Sequence, residues 1–195
     1  MDRRTDTREA IRSVALELFS ERGYDRASLR ELADRLRITK AAVYHHFATK
    51  QDILASLAEE FAVPLDHVLA WGRDQPAGPA TRHELLRRYA DLLVGRHGRL
   101  VRFLEDDRAG LRELAPARRL LGRLDELSAL LRDGGPAPEA TLRARLCLVA
   151  LHDGAAMSAA MSAAPGGTRA APAEEAHRRE AALAVAQDLV GPMGS

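Results

Sequence analysis

Cysteine is almost absent from this chain, Cys147 being the single one in 195 residues. That excludes an internal disulfide framework and any zinc site built from several thiolates, and it suits a reducing compartment. Strand-favouring residues are scarce too: Val, Ile and Thr together number 19, and aromatics make up 4%. A β-sandwich or barrel has little to build with. Lysine is nearly missing, with only Lys40 and Lys50 among 29 basic residues. We read this skew toward Arg, beside many Ala and Leu, as a coding habit. The longest uncharged run, residues 154–168, is short of a membrane span and is broken by Pro165, Gly166 and Gly167. The first dozen residues hold Asp2, Arg3, Arg4, Asp6, Arg8, Glu9 and Arg12, which leaves no apolar stretch for a secretory signal at this start. The expectation is a cytoplasmic protein.

What is present is 46% hydrophobic and 29% charged, enough for one sizeable core or two modest ones. Ala, Leu, Arg and Glu are strong helix formers, so the expected class is all-α. Charge is unevenly placed. Residues 1–50 carry 11 Lys and Arg against 8 Asp and Glu, whereas 51–195 carry 18 against 20. Alone, that mild excess is also what a solvated face looks like.

Residues 7–22 place Ile11, Val14, Ala15, Leu18 and Phe19 on one helical face, with Thr5, Asp6 or Thr7 as cap and Gly23 as terminator. A second helix opens at Ser28, with Glu31 completing a capping box, and buries Leu29, Leu32, Ala33 and Leu36. Thr39 is an N-cap for a short third helix over 40–47. A long helix follows from Lys50 to about Asp74, in which Pro64 predicts a kink. Residues 74–79, 133–138 and 164–172 read as loops. Between them, helices are expected over 82–96, in broken pieces over 100–114 around Gly110, and over 116–132, 141–163 and 174–190. On the helix over 82–96, Glu84 with Arg88 and Arg87 with Asp91 form outward pairs.

Helices two and three, joined by a tight turn and braced by helix one, have the lengths of a helix-turn-helix unit at about 28–47. On the third helix Ala42, Val43, His46 and Phe47 share one face, leaving Lys40, Ala41, Tyr44 and His45 on the other. The outward set suits groove reading: a cationic donor, a small residue beside a thymine methyl, and hydroxyl and imidazole groups within reach of phosphate. Each residue also has a plainer role. Tyr44 has the type of a partly buried core ring as its alternative, His46 that of a packing residue, and the two lysines that of ordinary surface. Arg3, Arg4 and Arg8 fit either a minor-groove arm or a basic tail.

The run from Gly23 to Ala33 (GYDRASLRELA), followed by Ile38 to Phe47 (ITKAAVYHHF) and Thr49 to Leu54 (TKQDIL), closely resembles the TetR family of bacterial repressors. The resemblance covers the first quarter of the chain, with many residue types in register. It implies a homodimeric, all-helical, ligand-responsive transcriptional regulator, a repressor by that resemblance, that binds a palindromic operator. It also implies that Thr39, Lys40, Ala41, Tyr44 and His45 make operator contacts, and that Ser28 and Lys50 hold backbone phosphates. Arg37, in the turn of this DNA-facing set, stands where such proteins often have Gly. If that position needs φ > 0, the arginine costs about 1 kcal/mol relative to glycine.

The expected organisation is a DNA-binding domain over 1–49 and a C-terminal helical domain over 50–195 for ligand and dimer contacts. Two recognition helices must sit about 34–36 Å apart to meet successive major grooves, which asks for a rigid dimer. The small-residue stretch with Ala155, Ala156, Met157 and Ala160, together with Leu183 and Leu189 of the last helix, is the candidate interface. Small residues there also tighten packing within one subunit. Apolar faces in excess of dimer needs make a small, largely apolar effector the expected ligand. His67, Trp71, Tyr89, Arg96, His97, Arg102, Phe103, His152 and Met157 are the candidates to line its cavity, with Arg96 and His97 read as extending the helix over 82–96. Any of them serves equally well as a cap or core residue.

No catalytic constellation, metal set or cofactor motif is legible. The His residues are scattered, Ser128, Ser158 and Ser162 lack a nucleophile elbow, and Cys147 sits among Leu146, Leu148 and Val149 like a buried inert thiol. Glu105, Asp106 and Asp107 read as a charged helix end. The rival to a DNA-binding regulator is a helical protein-interaction module whose basic third helix meets an acidic protein; a hydrolase with a cryptic Ser or His site comes third.

Overall fold

The computed structural model describes residues 3–134, 137–163 and 172–191, with side chains described at 6–134, 137–154, 174 and 176–191. These residues are all-α, as the composition implies. Ten helices follow one another: α1 (Arg3–Arg22), α2 (Leu29–Leu36), α3 (Lys40–His46), α4 (Lys50–Arg73), α5 (Pro79–Leu92), α6 (Arg96–Asp106), α7 (Arg108–Leu111), α8 (Ala115–Leu130), α9 (Pro138–Ala163) and α10 (Pro172–Leu189). No described helix is long and apolar enough to cross a membrane. The chain divides into two compact units, residues 1–60 with 103–120 and residues 61–102 with 121–195.

In the first unit, α1 buries Ile11, Ala15, Leu16, Leu18 and Phe19, and the start of α4 buries Ile53, Leu54 and Leu57. Phe19 packs against Tyr24 and Phe103 at ring-centroid distances of 5.2 and 5.9 Å. Arg12 ties α1 to α4, reaching Glu60 at 2.8 Å and Ser56 Oγ at 3.4 Å. Gly23 ends α1 at φ 79°, its N–H donating to Phe19 O at 2.9 Å. Only glycine enters that conformation without a Cβ penalty. Helix α1 already runs from Arg3, so Thr5, Asp6 and Thr7 lie inside it instead of capping it, and Arg8 is a helical residue whose guanidinium covers the Phe47 ring at 4.5 Å.

In the second unit, α4 contributes Phe61, Leu65, Val68 and Leu69, α5 Leu85, Leu86 and Tyr89, and α9 Ala144, Cys147, Leu148 and Leu151. Helix α4 is continuous through Pro64. Helix α10 packs against α9 and α5. A Cβ added at Gly154 of α9 would stand 2.5 Å from Ala182 Cβ of α10, so this glycine serves close packing within one chain. Arg82, 6% exposed, donates to Asp133 at 3.0 Å and to Val190 O at 3.4 Å, while His83 Nε2 lies 2.8 Å from Gly191 O. A cation there complements the negative end of α10. Arg87 first, with Arg88, holds the Glu84 carboxyl down at about 2. Burial pushes the Cys147 thiol up to about 11.

Several helix boundaries differ from the sequence reading by a few residues, and one of them moves candidate residues. Helix α5 stops at Leu92 and the chain turns at Gly95, φ 68°, so Arg96 and His97 open α6 and do not extend α5. The broken pieces expected around Gly110 are present: the chain breaks at Asp107, whose carboxylate accepts from Gly110 N at 3.2 Å and caps α7, and again after Leu111.

Arg37 closes α2 in the left-handed region at φ 54°, ψ 38°, and among the described residues it is the one non-glycine with positive φ. Its side chain is exposed, so nothing visible compensates the backbone cost. Replacing it with glycine removes that cost and adds unfolded-state entropy. We expect Arg37→Gly to raise stability by up to about 1 kcal/mol, or about 2–4 °C in melting temperature. Calorimetry checks this, and a lower melting temperature contradicts it.

Candidate nucleic-acid interface

The helix-turn-helix is assembled by local chemistry. Ser28 Oγ accepts from Glu31 N at 3.2 Å and caps α2. The Glu31 carboxylate does not return to the cap. It lies 3.5 Å from Arg22 and 3.9 Å from Arg35, and Arg35 also reaches Glu21 at 2.5 Å, which holds the Glu21 carboxyl below its usual range. At the other end of α2, Ile38 N donates to Ala33 O and Arg37 N to Asp34 O, both at 3.1 Å. This is a Schellman closure, and its left-handed residue turns the chain sharply toward α3. Thr39 Oγ1 then accepts from Ala42 N at 3.1 Å and starts α3.

Helix α3 is sorted into two faces. Val43 and Phe47 are 0% and 3% exposed, and Ala42 and His46 are half-buried beside them. Thr39, Lys40, Ala41, Tyr44 and His45 are all exposed. Tyr44 is 46% exposed, which removes the reading of it as a core ring. The Lys40 ammonium stands 5.4 Å from the Tyr44 ring centroid, and the His45 and His46 rings are 5.4 Å apart. An exposed cation, phenol, imidazole, methyl and hydroxyl thus lie together on one ridge. Ser28 retains a hydroxyl proton to donate outward while its oxygen serves the cap.

Lys50 is otherwise engaged. Its ammonium donates to Tyr24 O at 2.7 Å, Asp25 O at 2.9 Å and Ala27 O at 3.4 Å, and sits 4.5 Å from the Tyr24 ring centroid. The three carbonyls belong to the α1–α2 turn, and an ammonium has three N–H donors to offer them. Burial, followed by Asp25 and Asp52, pushes the Tyr24 hydroxyl above its usual range.

Among the ligand candidates, Tyr89 and His152 are brought together. Both are buried, and a 2.8 Å hydrogen bond joins Tyr89 Oη and His152 Nε2. Phe61 lies 6.4 Å from Tyr89 and 5.0 Å from His97 by ring centroids. Arg96 is half-buried, and burial, then the charge of Arg99, pushes its pKa down. The remaining candidates are placed elsewhere. Trp71 is covered by the Arg88 guanidinium at 4.2 Å, His67 is exposed, Arg102 pairs with Asp153 at the surface, and Phe103 packs on Phe19 in the first unit. Met157, Ala155, Ala156 and Ala160 lie outside the residues with described side chains.

Of the interface candidates that are described, Leu183 and Leu189 are half-buried. Val185 of α10 is 53% exposed, and sequence reasoning missed the exposed apolar residues of α9: Leu142, Leu146 and Val149 are 59%, 43% and 48% exposed. Their i, i+4, i+7 spacing on α9 was available in the sequence, but α9 carries apolar residues on its inner side too. Among the described residues no group of three or more His, Cys, Asp or Glu is arranged to hold a metal ion.

Comparison with known proteins agrees with this geometry. Residues 11–57 match the model of the bacterial regulatory proteins of the tetR family. The transcriptional repressor AcnR of Corynebacterium glutamicum is 32% identical over 69 residues, 35% of this chain and 37% of that protein. The transcriptional regulator Mb3439c of Mycobacterium bovis is 29% identical over 146 residues, 74% of this chain and 68% of its own length. The match therefore spans well under half of AcnR and about two thirds of Mb3439c. Among solved structures, AmtR of Mycobacterium smegmatis superposes with a TM-score of 0.61 at 28% identity, covering 96% of this chain and 87% of that one. The helix-turn-helix within residues 11–57 is that of the tetR family of bacterial regulatory proteins, and the all-helical fold is similar to that of AmtR.

Proposed function

We propose that this chain is a DNA-binding transcriptional repressor that acts in the cytoplasm as a homodimer on a palindromic operator and is released by a small, largely apolar molecule. Residues 1–49 are assigned to DNA binding and 50–195 to the ligand and the dimer. The observation that carries the reading is the outward ridge of α3, where Thr39, Lys40, Ala41, Tyr44 and His45 are exposed over an anchored Val43 and Phe47. Ser28 and Arg37, exposed at the two ends of α2, flank that ridge. In a chain that uses Arg almost everywhere, an exposed Lys40 at the start of α3 also favours a dedicated contact. Lys40→Ala is expected to weaken operator binding by about 1–3 kcal/mol and relax one base preference. Anisotropy titrations over a salt series test this on DNA selected from random pools. Affinity that hardly changes with salt contradicts phosphate neutralisation and favours the protein-interaction module.

The dimer assignment is supported by Leu142, Leu146, Val149 and Val185, an apolar surface on the two final helices that one chain leaves uncovered. A second copy related by a two-fold axis covers it with the same residues. Leu146→Glu is expected to give monomers by light scattering and to lose operator binding. A wild-type monomer at micromolar concentration overturns the assignment.

The effector assignment is supported by the Tyr89–His152 pair, a polar handle buried in the helical unit that also holds Phe61. Helix α4 begins three residues after Phe47 and continues to Arg73, which gives an occupied unit a covalent route to the DNA-reading helices. A hundredfold release needs about 2.7 kcal/mol of coupling. A ligand found by thermal-shift screening is therefore expected to bind the operator-bound dimer a hundredfold more weakly than the free dimer. Equal affinity removes the effector claim and leaves DNA binding intact.

A further inference from the structure

The engagement of Lys50 assigns it work that charge alone does not explain. As the first residue of α4, it follows the recognition helix directly, yet its ammonium lies against Tyr24 O, Asp25 O and Ala27 O at 2.7, 2.9 and 3.4 Å. Those carbonyls belong to the turn that ends on Ser28, the cap of α2. One side chain thereby closes a ring: the entry of α2 is held to the exit of α3, and the Arg37 turn joins the two helices on the far side. The Tyr24 ring, 4.5 Å from the ammonium, completes the cradle with its negative face.

The residue type is a second observation. Among 29 basic residues only two are Lys, so a lysine at this place breaks the habit of the whole chain. An ammonium offers three diverging donors from one atom and fits a concave set of carbonyls. A guanidinium spreads its donors in a plane and does not.

We propose that Lys50 is a positioning residue: by tying the start of α4 to the turn ahead of α2, it sets how α3 is presented to the operator, and it does not neutralise a phosphate. This rests on the DNA-binding reading above. Wild type, Lys50→Met and Lys50→Arg are compared on selected operator DNA and on a scrambled duplex over a salt series, and by amide hydrogen exchange without DNA. Both variants are expected to lose operator affinity on the order of tenfold, the scale of lost charge-assisted hydrogen bonds, while scrambled DNA is bound nearly as before. The salt slope stays unchanged, and arginine fails to rescue although it keeps the charge. Exchange over residues 24–32 accelerates in both variants while residues 61–102 keep their protection, which also shows that the variants are folded. A salt slope that drops by about one in Lys50→Met and returns in Lys50→Arg overturns the proposal in favour of a phosphate contact. Unchanged exchange over 24–32 overturns it as well. A wild type that selects no DNA refutes the reading beneath the proposal, whereas exchange reports on the cradle by itself.

Discussion

A seven-residue helix has no stability of its own in water, so α3 exists because Val43 and Phe47 are buried. Burying two such side chains contributes roughly 1.5–3 kcal/mol each, enough to offset part of the cost of ordering so short a segment. The outward ridge depends on that anchor, since Lys40, Tyr44 and His45 point away only while Val43 and Phe47 point in. Around it stand the cap at Thr39, the closure at Arg37 and the packing of α1. Each of these fixes where the DNA-reading residues of the proposed reading are held.

The second unit solves a different problem. Its two long final helices must stay parted from solvent on one side and remain apolar on another. The inner side is closed by small-residue contact, Gly154 against Ala182, and by Ala144, Cys147, Leu148 and Leu151. Arg82 and His83 of α5 hold the end of α10 by its terminal carbonyls. A bare carbonyl buried at a helix end costs about 1–3 kcal/mol, so the clamp is a structural necessity for the last turn. It leaves Leu142, Leu146 and Val149 free for another surface.

The division of α3 into faces was legible in the sequence because a 3.6-residue period sorts side chains over two turns without reference to anything else. The caps at Ser28 and Thr39 were legible for the same reason: their chemistry is local. Long-range uses of a side chain were not. Lys50 reaches carbonyls more than twenty positions away, and nothing in its own neighbourhood announces it. Gly95 passed unseen because Arg96 and His97 continue the spacing of Leu92 and Leu93 across the turn. Asp107 looked like surface charge, yet it caps a helix. On α9 apolar residues occur on more than one side, and periodicity does not say which side meets the chain's own core.

The two lysines have a consequence for covalent chemistry. Amine acylation requires a reachable nitrogen, and the nitrogen of Lys50 lies among three carbonyls and an aromatic face. Lys40 projects from an exposed helix end beside Tyr44. Between these side chains, an acylating reagent or an acetyl-transferring enzyme finds one open address, on the ridge of α3. Twenty-seven arginines offer it no competing amine. A scarcity that began as composition leaves this surface marked for chemical labelling at a single side chain.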